Sequence, residues 1–320
     1  MSDIWIITRS LTNEIALNLT LDDAIKNDYN MTEDELYNRE RFCESLKLKA
    51  ELDSLGISCE FKRAKDLISP GYLRCVKELP KITIDLFPAW DHHNHNDNLN
   101  TLREIGVKVI NNPKIHRICT DKWEYHKILK NHNIPTIQSM LVSLPISDDT
   151  LKEIESSIEY PVVIKPTNGS LSRGVIKCHN LDDIWYASSK IYKLPFKPRQ
   201  AIIQKWVDHS VKGVLRTMMI GGNIVACAQR YPSIQTDFFY SGKAENSIRV
   251  AYKLTPELIK YCNSVYLALD KIDICAMDIL YDDKNYVACD INSPGNFIGL
   301  DILLNTNIAK SIAEYLVSKL

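Results

Sequence analysis

Short apolar runs and longer stretches of helical periodicity alternate along the first hundred residues. Residues 4–8 (IWIIT) are apolar nearly throughout and read as a buried strand. Residues 38–57 carry apolar positions at helical spacing and close on Gly56, which predicts a helix. CEFKRAKDL reads as a second strand and turn, and KITIDLFPAW (81–90) as a third strand ended by Pro88. NLNTLREIGVKVINNP predicts a helix, a short strand from Val107 to Ile110 and a stop at Pro113. Strand and helix in turn predict an open, mainly parallel sheet. Residues 18–37 are polar and acidic and read as an excursion from it.

The pattern changes at residue 120. TDKWEYHKILKNHNIPT predicts a helix with Thr120 as N-cap, Ile128 and Leu129 toward the core, and Pro135 as its end. YPVVIKP (160–166) and GVIKCHN (174–180) are strands joined by the small-residue turn NGSLSR, and AIIQKWV (201–207) is another apolar strand. Two hairpins follow, turning at Gly221–Gly222 and at Asp282–Asn285, with the amphipathic helix LTPELIKYCNSVYLALD between them. A helix from Asn307 to Leu320 ends the chain. The reading is an α/β protein in three parts: an N-terminal open-sheet domain over 1–118, a small central domain over 119–200 and a C-terminal α+β domain over 201–320.

Composition narrows the function classes. A chain of 320 residues has room for two or three domains with full cores. With 45% hydrophobic and 25% charged residues it is an ordinary globular chain. The 39 basic and 40 acidic residues leave a formal charge of −1, which provides no field for nucleic acid or an anionic membrane but is compatible with one phosphate ligand. No apolar stretch approaches the length of a bilayer span, and the N-terminus shows neither a basic leader nor a cleavage site. The nine cysteines form no CxxC pair, and reduced thiols in a cytoplasmic protein are expected.

Four groups of residues are candidates for chemistry. Asp278 lies on one strand of the last hairpin, and Asp290 and Asn292 share a face of the other. Oxygen donors converging within apolar strands suit magnesium held jointly with phosphates; acids paired to an arginine are the alternative. Lys165 stands in mid-strand, and the TNGSLSRG segment after it offers backbone N–H groups and the hydroxyls of Ser170 and Ser172 to a phosphate. It lacks the Walker spacing, and a snorkelling lysine on an exposed hairpin is the alternative. Lys122 opens a helix, and Arg216 and Arg230 lie on the strands of the first hairpin. A substrate anion and a salt-bridge network with Asp278 and Asp290 explain these equally well. DHHNHN (91–96) reads as a loop after a strand, serving a metal, a substrate or only solvent.

In order, DKWEYHKILKNHNIPT, PVVIKPTNGSLSRGV, IIQKWV, LRTMMIGG, MDIL and DINSPGNFIGLD resemble the ATP-grasp superfamily, and within it the RimK-like glutamate ligases. The resemblance covers roughly residues 107–320, and DINSPGNFIGLD is its most specific piece. It implies an ATP-grasp fold in which an N-terminal pre-ATP-grasp domain precedes a lid and a C-terminal domain, with ATP between the last two. Lys122 and Lys165 match lysines that hold ATP phosphates, beside Ser170, Ser172 and Gly174 of the turn. Gln204, Lys205, Trp206 and Val207 match the hinge that lies along adenine. Asp278, Asp290 and Asn292 match magnesium ligands, a site that manganese also suits. Arg216 and Arg230 match arginines near the reacting phosphoryl and acyl groups. The implied chemistry is transfer of the γ-phosphate to a carboxylate, then attack of an amine on the acyl phosphate to give an amide. The implied partners are ATP and carboxylate and amine co-substrates, whether amino acid, peptide or protein tail, with a homo-oligomer left open.

The departures from the family leave the metal residues in place and bear on ribose contacts and substrate identity, so a glutamate-adding activity does not follow from the resemblance. Asp290 stands where Glu is usual, Lys205 where the hinge has Glu, Val214 where an Asp precedes the arginine, and His209 where an acid often follows the hinge. Residues 231–249 lack the usual Arg-x-Asn and paired glycines. That segment and the 91–96 loop are expected to select the co-substrate, through Tyr231, Phe238, Phe239, Tyr240, Lys243 and Arg249 on one side and His92, His93 and His95 on the other. A D-alanine–D-alanine-like or glutathione-synthetase-like ligase and a non-catalytic nucleotide-binding module are the rival readings.

Overall fold

The computed structural model describes residues 2–8, 33–64, 71–86, 93–169, 172–196, 198–232 and 247–320. Three sheets follow one another along the chain. The first is parallel. It contains β1 (Ile4–Thr8), β2 (Cys59–Arg63), β3 (Ile82–Asp85) and β4 (Lys108–Ile110) in the order β2-β1-β3-β4, connected through α1 (Glu33–Ser54), α2 (Tyr72–Cys75) and α3 (His93–Glu104). Two helices, α4 (Pro113–Thr120) and α5 (Lys122–Asn131), lead out of it.

The second sheet is antiparallel. It contains β5 (Ser139–Ser143), β6 (Val162–Pro166), β7 (Ile176–Cys178) and β8 (Gln200–Lys205) in the order β5-β8-β6-β7, with α6 (Asp148–Ser157) and α7 (Leu181–Tyr192) packed on it. The third contains β9 (Val214–Ile220), β10 (Asn223–Pro232), β11 (Ser247–Ala251), β12 (Ile274–Tyr281) and β13 (Tyr286–Asn292) in the order β11-β10-β9-β12-β13. It is completed by α8 (Pro256–Ala268), α9 (Ile298–Leu304) and α10 (Ile308–Val317).

The apolar run of β1 is unbroken because both of its faces are covered. Ile4 and Ile6 enter a core shared with α1, α10 and the third sheet, whereas Trp5 and Ile7 pack with Leu99 and Leu102 of α3. The third sheet is likewise two-sided. Met218, Ile220, Ile274 and Ala276 belong to the core shared with the first sheet, and Met219, Cys275, Met277 and Ile279 meet α4, α5 and α8 on the opposite face.

The structure corrects several expectations. Thr120 ends α4 rather than capping the next helix; the cap of α5 is Asp121, whose carboxylate accepts from the Trp123 and Glu124 amides. The pattern blurred this because two short helices share one apolar face. Residues 93–96, expected in a loop, belong to α3, while 91–92 and most of the 18–37 excursion lie outside the described residues. Strand β8 pairs with β5 and β6, so the expected boundary at 200/201 cuts the second sheet, and α5 packs beneath the third sheet rather than on the second. The segments β5, α6, α7, β11 and α9 were not singled out by the pattern.

Candidate active site

The site lies where the second and third sheets face each other. On β12 Cys275, Met277 and Ile279 fill the core beneath the sheet, and the even-numbered residues point the other way. Of these, Ile274 and Ala276 are covered by the first unit, and Asp278 and Leu280 emerge beyond that cover into a cleft. Asp278 is paired in register with Arg216 of β9 and with Asp290 of β13. An irregularity just past Asp278 sets Ile279 opposite Ala288, leaving Cys289 as the extra residue of β13.

Asp278 is 7% exposed. Its Oδ2 accepts from Arg216 Nη1 at 3.0 Å, and Arg230 Nη1 stands 3.7 Å from its Oδ1. Arg216 Nη2 donates to the Asn296 carbonyl at 3.4 Å. Burial lowers the pKa of Arg230 to about 10, with the Asp278 charge opposing the shift. Asn292 Nδ2 lies 3.5 Å from Asp290 Oδ2. Asp290 and Asn292 therefore share a face, as the alternation predicts.

Two buried lysines enter the same cleft from other elements. Lys165 lies on β6, where its neighbour Ile164 enters the core of the second sheet and so turns Lys165 to the cleft. Its Nζ donates to the Cys289 carbonyl at 2.9 Å, and burial pushes its pKa below the usual lysine range. Lys122 opens α5. Its amide donates to the Thr167 carbonyl at 2.7 Å, and its Nζ donates to the Gly169 carbonyl at 3.1 Å and lies 3.9 Å from Asp290 Oδ1. Lys122 is thereby tied to the turn after β6.

Ser172, Gln204, Lys205, Trp206 and Val207 line the cleft with these groups, and Ile137, Val163, Val175, Val214 and Leu280 give it an apolar portion. The hinge residues differ in what they present. Lys205 turns its side chain out to Glu159 at 3.0 Å, and its amide, like that of Trp206, is bound to a protein carbonyl, of Gln138 and Pro161 respectively. Gln204 Nε2 donates to Ser139 Oγ. The Trp206 ring is flanked by Lys177 Nζ at 4.4 Å and the His209 ring at 4.8 Å.

Four expected site residues do not line the cleft: Gly174, Asn292, Arg216 and Arg230. Gly174 has φ +76°, and a Cβ there would stand 2.9 Å from Leu194 Cδ1, so it closes the turn by packing. Asn292 reaches the site through Asp290, and the two arginines through Asp278. Ser170 and Lys243 lie outside the described residues, as do Phe238, Phe239 and Tyr240. Sequence reasoning missed Cys289 and the role of the apolar wall, and took in Gly169 and Arg173 only as part of the TNGSLSRG segment; all of them line the cleft. The wall was legible only as ordinary strand residues, and Cys289 enters through the irregularity in β13.

The donor set fits magnesium. It consists of two carboxylates and an amide with no sulfur or imidazole among them, and among the described residues the buried Asp278 Oδ1 accepts no hydrogen bond, with the Arg230 charge at ion-pair distance. Among the described residues no group of three or more His, Cys, Asp or Glu gathers that could hold a metal ion by itself.

The three-sheet arrangement is an ATP-grasp fold. It superimposes on the crystal structure of D-alanine–D-alanine ligase from Bacillus anthracis with a TM-score of 0.69, covering 99% of this chain and 97% of that one at 14% identity. Residues 119–316 match the family model of the RimK-like ATP-grasp domain, and the chain belongs to that family. The chain is 26% identical to N-acetylaspartylglutamate synthase A of Mus musculus over 231 residues, 69% of this chain and 57% of that protein. It is also 26% identical to coenzyme γ-F420-2:α-L-glutamate ligase of Methanocaldococcus jannaschii over 300 residues, 87% of this chain and 94% of that one. The match to the first of these relatives thus spans little more than half of its length. Among the described residues no helix is long and apolar enough to cross a membrane.

Proposed function

We propose that the chain is an ATP-dependent carboxylate–amine ligase that forms an amide through an acyl phosphate. The observation that carries this reading is the meeting of two buried lysines, Lys122 and Lys165, with Asp278 and Asp290 in one cleft that continues into an apolar wall. A polyanion bearing a flat base and a divalent cation satisfies all three parts together. On this reading Lys122 and Lys165 hold phosphate oxygens, with Ser170 and Ser172 of the turn. The backbone from Gln204 to Val207 and the wall at Val175 and Leu280 hold the base. Asp278, Asp290 and Asn292 hold magnesium, or manganese in its place, and the ion when bound neutralises charge on the transferring phosphoryl group.

Arg216 and Arg230 act on the reacting groups through Asp278, whose carboxylate both of them hold. A carboxylate oxygen of the acid bonds to the γ-phosphorus as ADP departs; the amine nitrogen then bonds to the acyl carbon, inorganic phosphate departs and the amine loses a proton. An amino acid is the proposed amine, since both relatives named above carry glutamate in their names. The acceptor is a small molecule, peptide or protein tail. In domain terms the first sheet represents the unit about 1–118, the second the lid and the third the C-terminal unit. The described cysteines are free thiols, in keeping with the cytoplasm as the place of action.

The test is a phosphate-release screen with magnesium–ATP over paired acids and amines, followed by the mass of the product. Release that needs both partners, and a product equal to their sum less water, is expected. ATP binding without amine-dependent release from any pair would instead support a nucleotide-binding module.

A further inference from the structure

One helix of the first unit grips the loop that follows β13. Arg41 and Glu44 of α1 are 1% and 0% exposed and pair at 2.7 Å. Arg41 Nη2 donates to the Pro294 carbonyl at 3.1 Å and Nη1 to the Gly295 carbonyl at 3.2 Å. Glu44 Oε1 accepts from the amides of Phe297 at 2.5 Å and Ile298 at 2.8 Å, and Glu40 accepts from Asn296 Nδ2 at 2.8 Å. Every residue from 294 to 298 is thus held by one turn of α1. Gly295 lies so close to β12 that a Cβ there would be 2.0 Å from Ala276 Cβ.

A buried ion pair contributes little to stability compared with apolar residues of the same volume, so this one calls for a different explanation. The gripped loop supplies one. Its Asn296 carbonyl receives Arg216 Nη2, and Arg216 Nη1 in turn holds Asp278. Arg216 is therefore clamped between the loop and the acid, and its fork geometry passes the loop's position to the carboxylate.

We propose that Arg41 and Glu44 are positioning residues that fix the 294–298 backbone and, through Arg216, the orientation of Asp278. The catalytic role of Asp278 in this statement rests on the ligase reading; the mechanical link does not. The link couples the first unit, far along the chain, to the acid of the nucleotide cleft.

The test uses variants of the full chain that retain a filled core. R41M/E44L replaces the pair by apolar side chains and removes every grip those two residues make. R41M/E44Q restores an acceptor for the Phe297 and Ile298 amides. R41K keeps the charge but loses the fork, and it decides the matter if a double variant does not fold. The first readout is the ¹⁵N-labelled arginine side-chain spectrum of the ligand-free protein, with the Arg216 signal assigned by R216K. Loss or broadening of the Arg216 signal is expected in R41M/E44L and R41K, with recovery in R41M/E44Q. The second readout is turnover. At unchanged thermal stability, R41M/E44L is expected to lose at least tenfold in kcat with the KM for ATP within twofold of wild type, and R41M/E44Q to regain most of the loss. An unaltered Arg216 signal in folded R41M/E44L, or in R41K if the double variant does not fold, overturns the proposal whether or not any substrate is known. Wild-type kcat in the same variant does so as well. A wild-type protein that turns over no acid–amine pair refutes the ligase reading, while the spectrum still decides the mechanical link.

Discussion

Replacing Lys165 by methionine separates a phosphate ligand from a structural lysine. In the ligand-free protein the substitution removes one charge-assisted hydrogen bond, to the Cys289 carbonyl, contributing about 1.5–3 kcal/mol. It also removes a buried ammonium whose desolvation costs several kcal/mol. These oppose each other, and the stability of the free protein is expected to change by only about 1 kcal/mol. In the complex there is no such compensation. A lost charged contact to phosphate weakens binding by about ten- to hundredfold, from a contribution of about 1.5–3 kcal/mol. At magnesium–ATP fixed at one hundred times the wild-type Kd, ligand stabilisation is about 2.7 kcal/mol. A tenfold weaker Kd leaves about 1.4 kcal/mol of it and a hundredfold weaker one about 0.4 kcal/mol. The assay is chemical denaturation of both proteins with and without magnesium–ATP at that concentration. Equal stabilisation of wild type and Lys165→Met would refute a phosphate-binding role for this lysine.

Other outcomes can be checked alongside it. Asp290→Ala is expected to abolish product formation while circular dichroism stays native, since this acid is a third exposed and its nearest cation, Lys122, also bonds to Gly169; turnover near the wild-type rate would remove Asp290 from the site. Asp278→Ala is a poorer probe, because it takes the carboxylate partner from the buried Arg216 at a cost of about 3–5 kcal/mol. Gly295→Ala forces a methyl against Ala276 and is expected to lower stability by about 1–3 kcal/mol or more, read as a reduced Tm; an unchanged Tm would show that the loop can withdraw from β12. Burial holds the pKa of His126 at about 4, against 6.5 for the exposed group. Between those values the unfolded chain binds a proton that the native state does not, so stability rises with pH across this window and is lost as pH falls below 6.5. His126→Gln is expected to flatten that slope in urea midpoints measured from pH 4 to 7, and an unchanged slope would assign it to other groups.

Much of the architecture follows from local pattern alone. The double-sided burial of β1 is written in IWIIT, and the two hairpins of the third sheet in their Gly221–Gly222 and Asp282–Asn285 turns, because side-chain period and turn chemistry are properties of neighbouring residues. The same holds for Asp290 and Asn292, whose common face needs only a strand. The ordered motifs from DKWEYHKILKNHNIPT to DINSPGNFIGLD, the last the most specific, carried the family resemblance. Other features depended on contacts between residues far apart in sequence. That Asp278 pairs with Arg216 rather than standing alone depends on β12 lying beside β9, a register no local rule specifies. The Cys289 carbonyl reaches Lys165 because an irregularity in β13 meets a strand from another sheet. Arg41 and Glu44 occupy the same helical face as Leu48 and Leu52, so the sequence held a signal that the apolar face of α1 was interrupted by charge. What satisfies that charge lies about 250 residues further along the chain, in the 294–298 loop, and only packing of the first unit against the third sheet brings the two together.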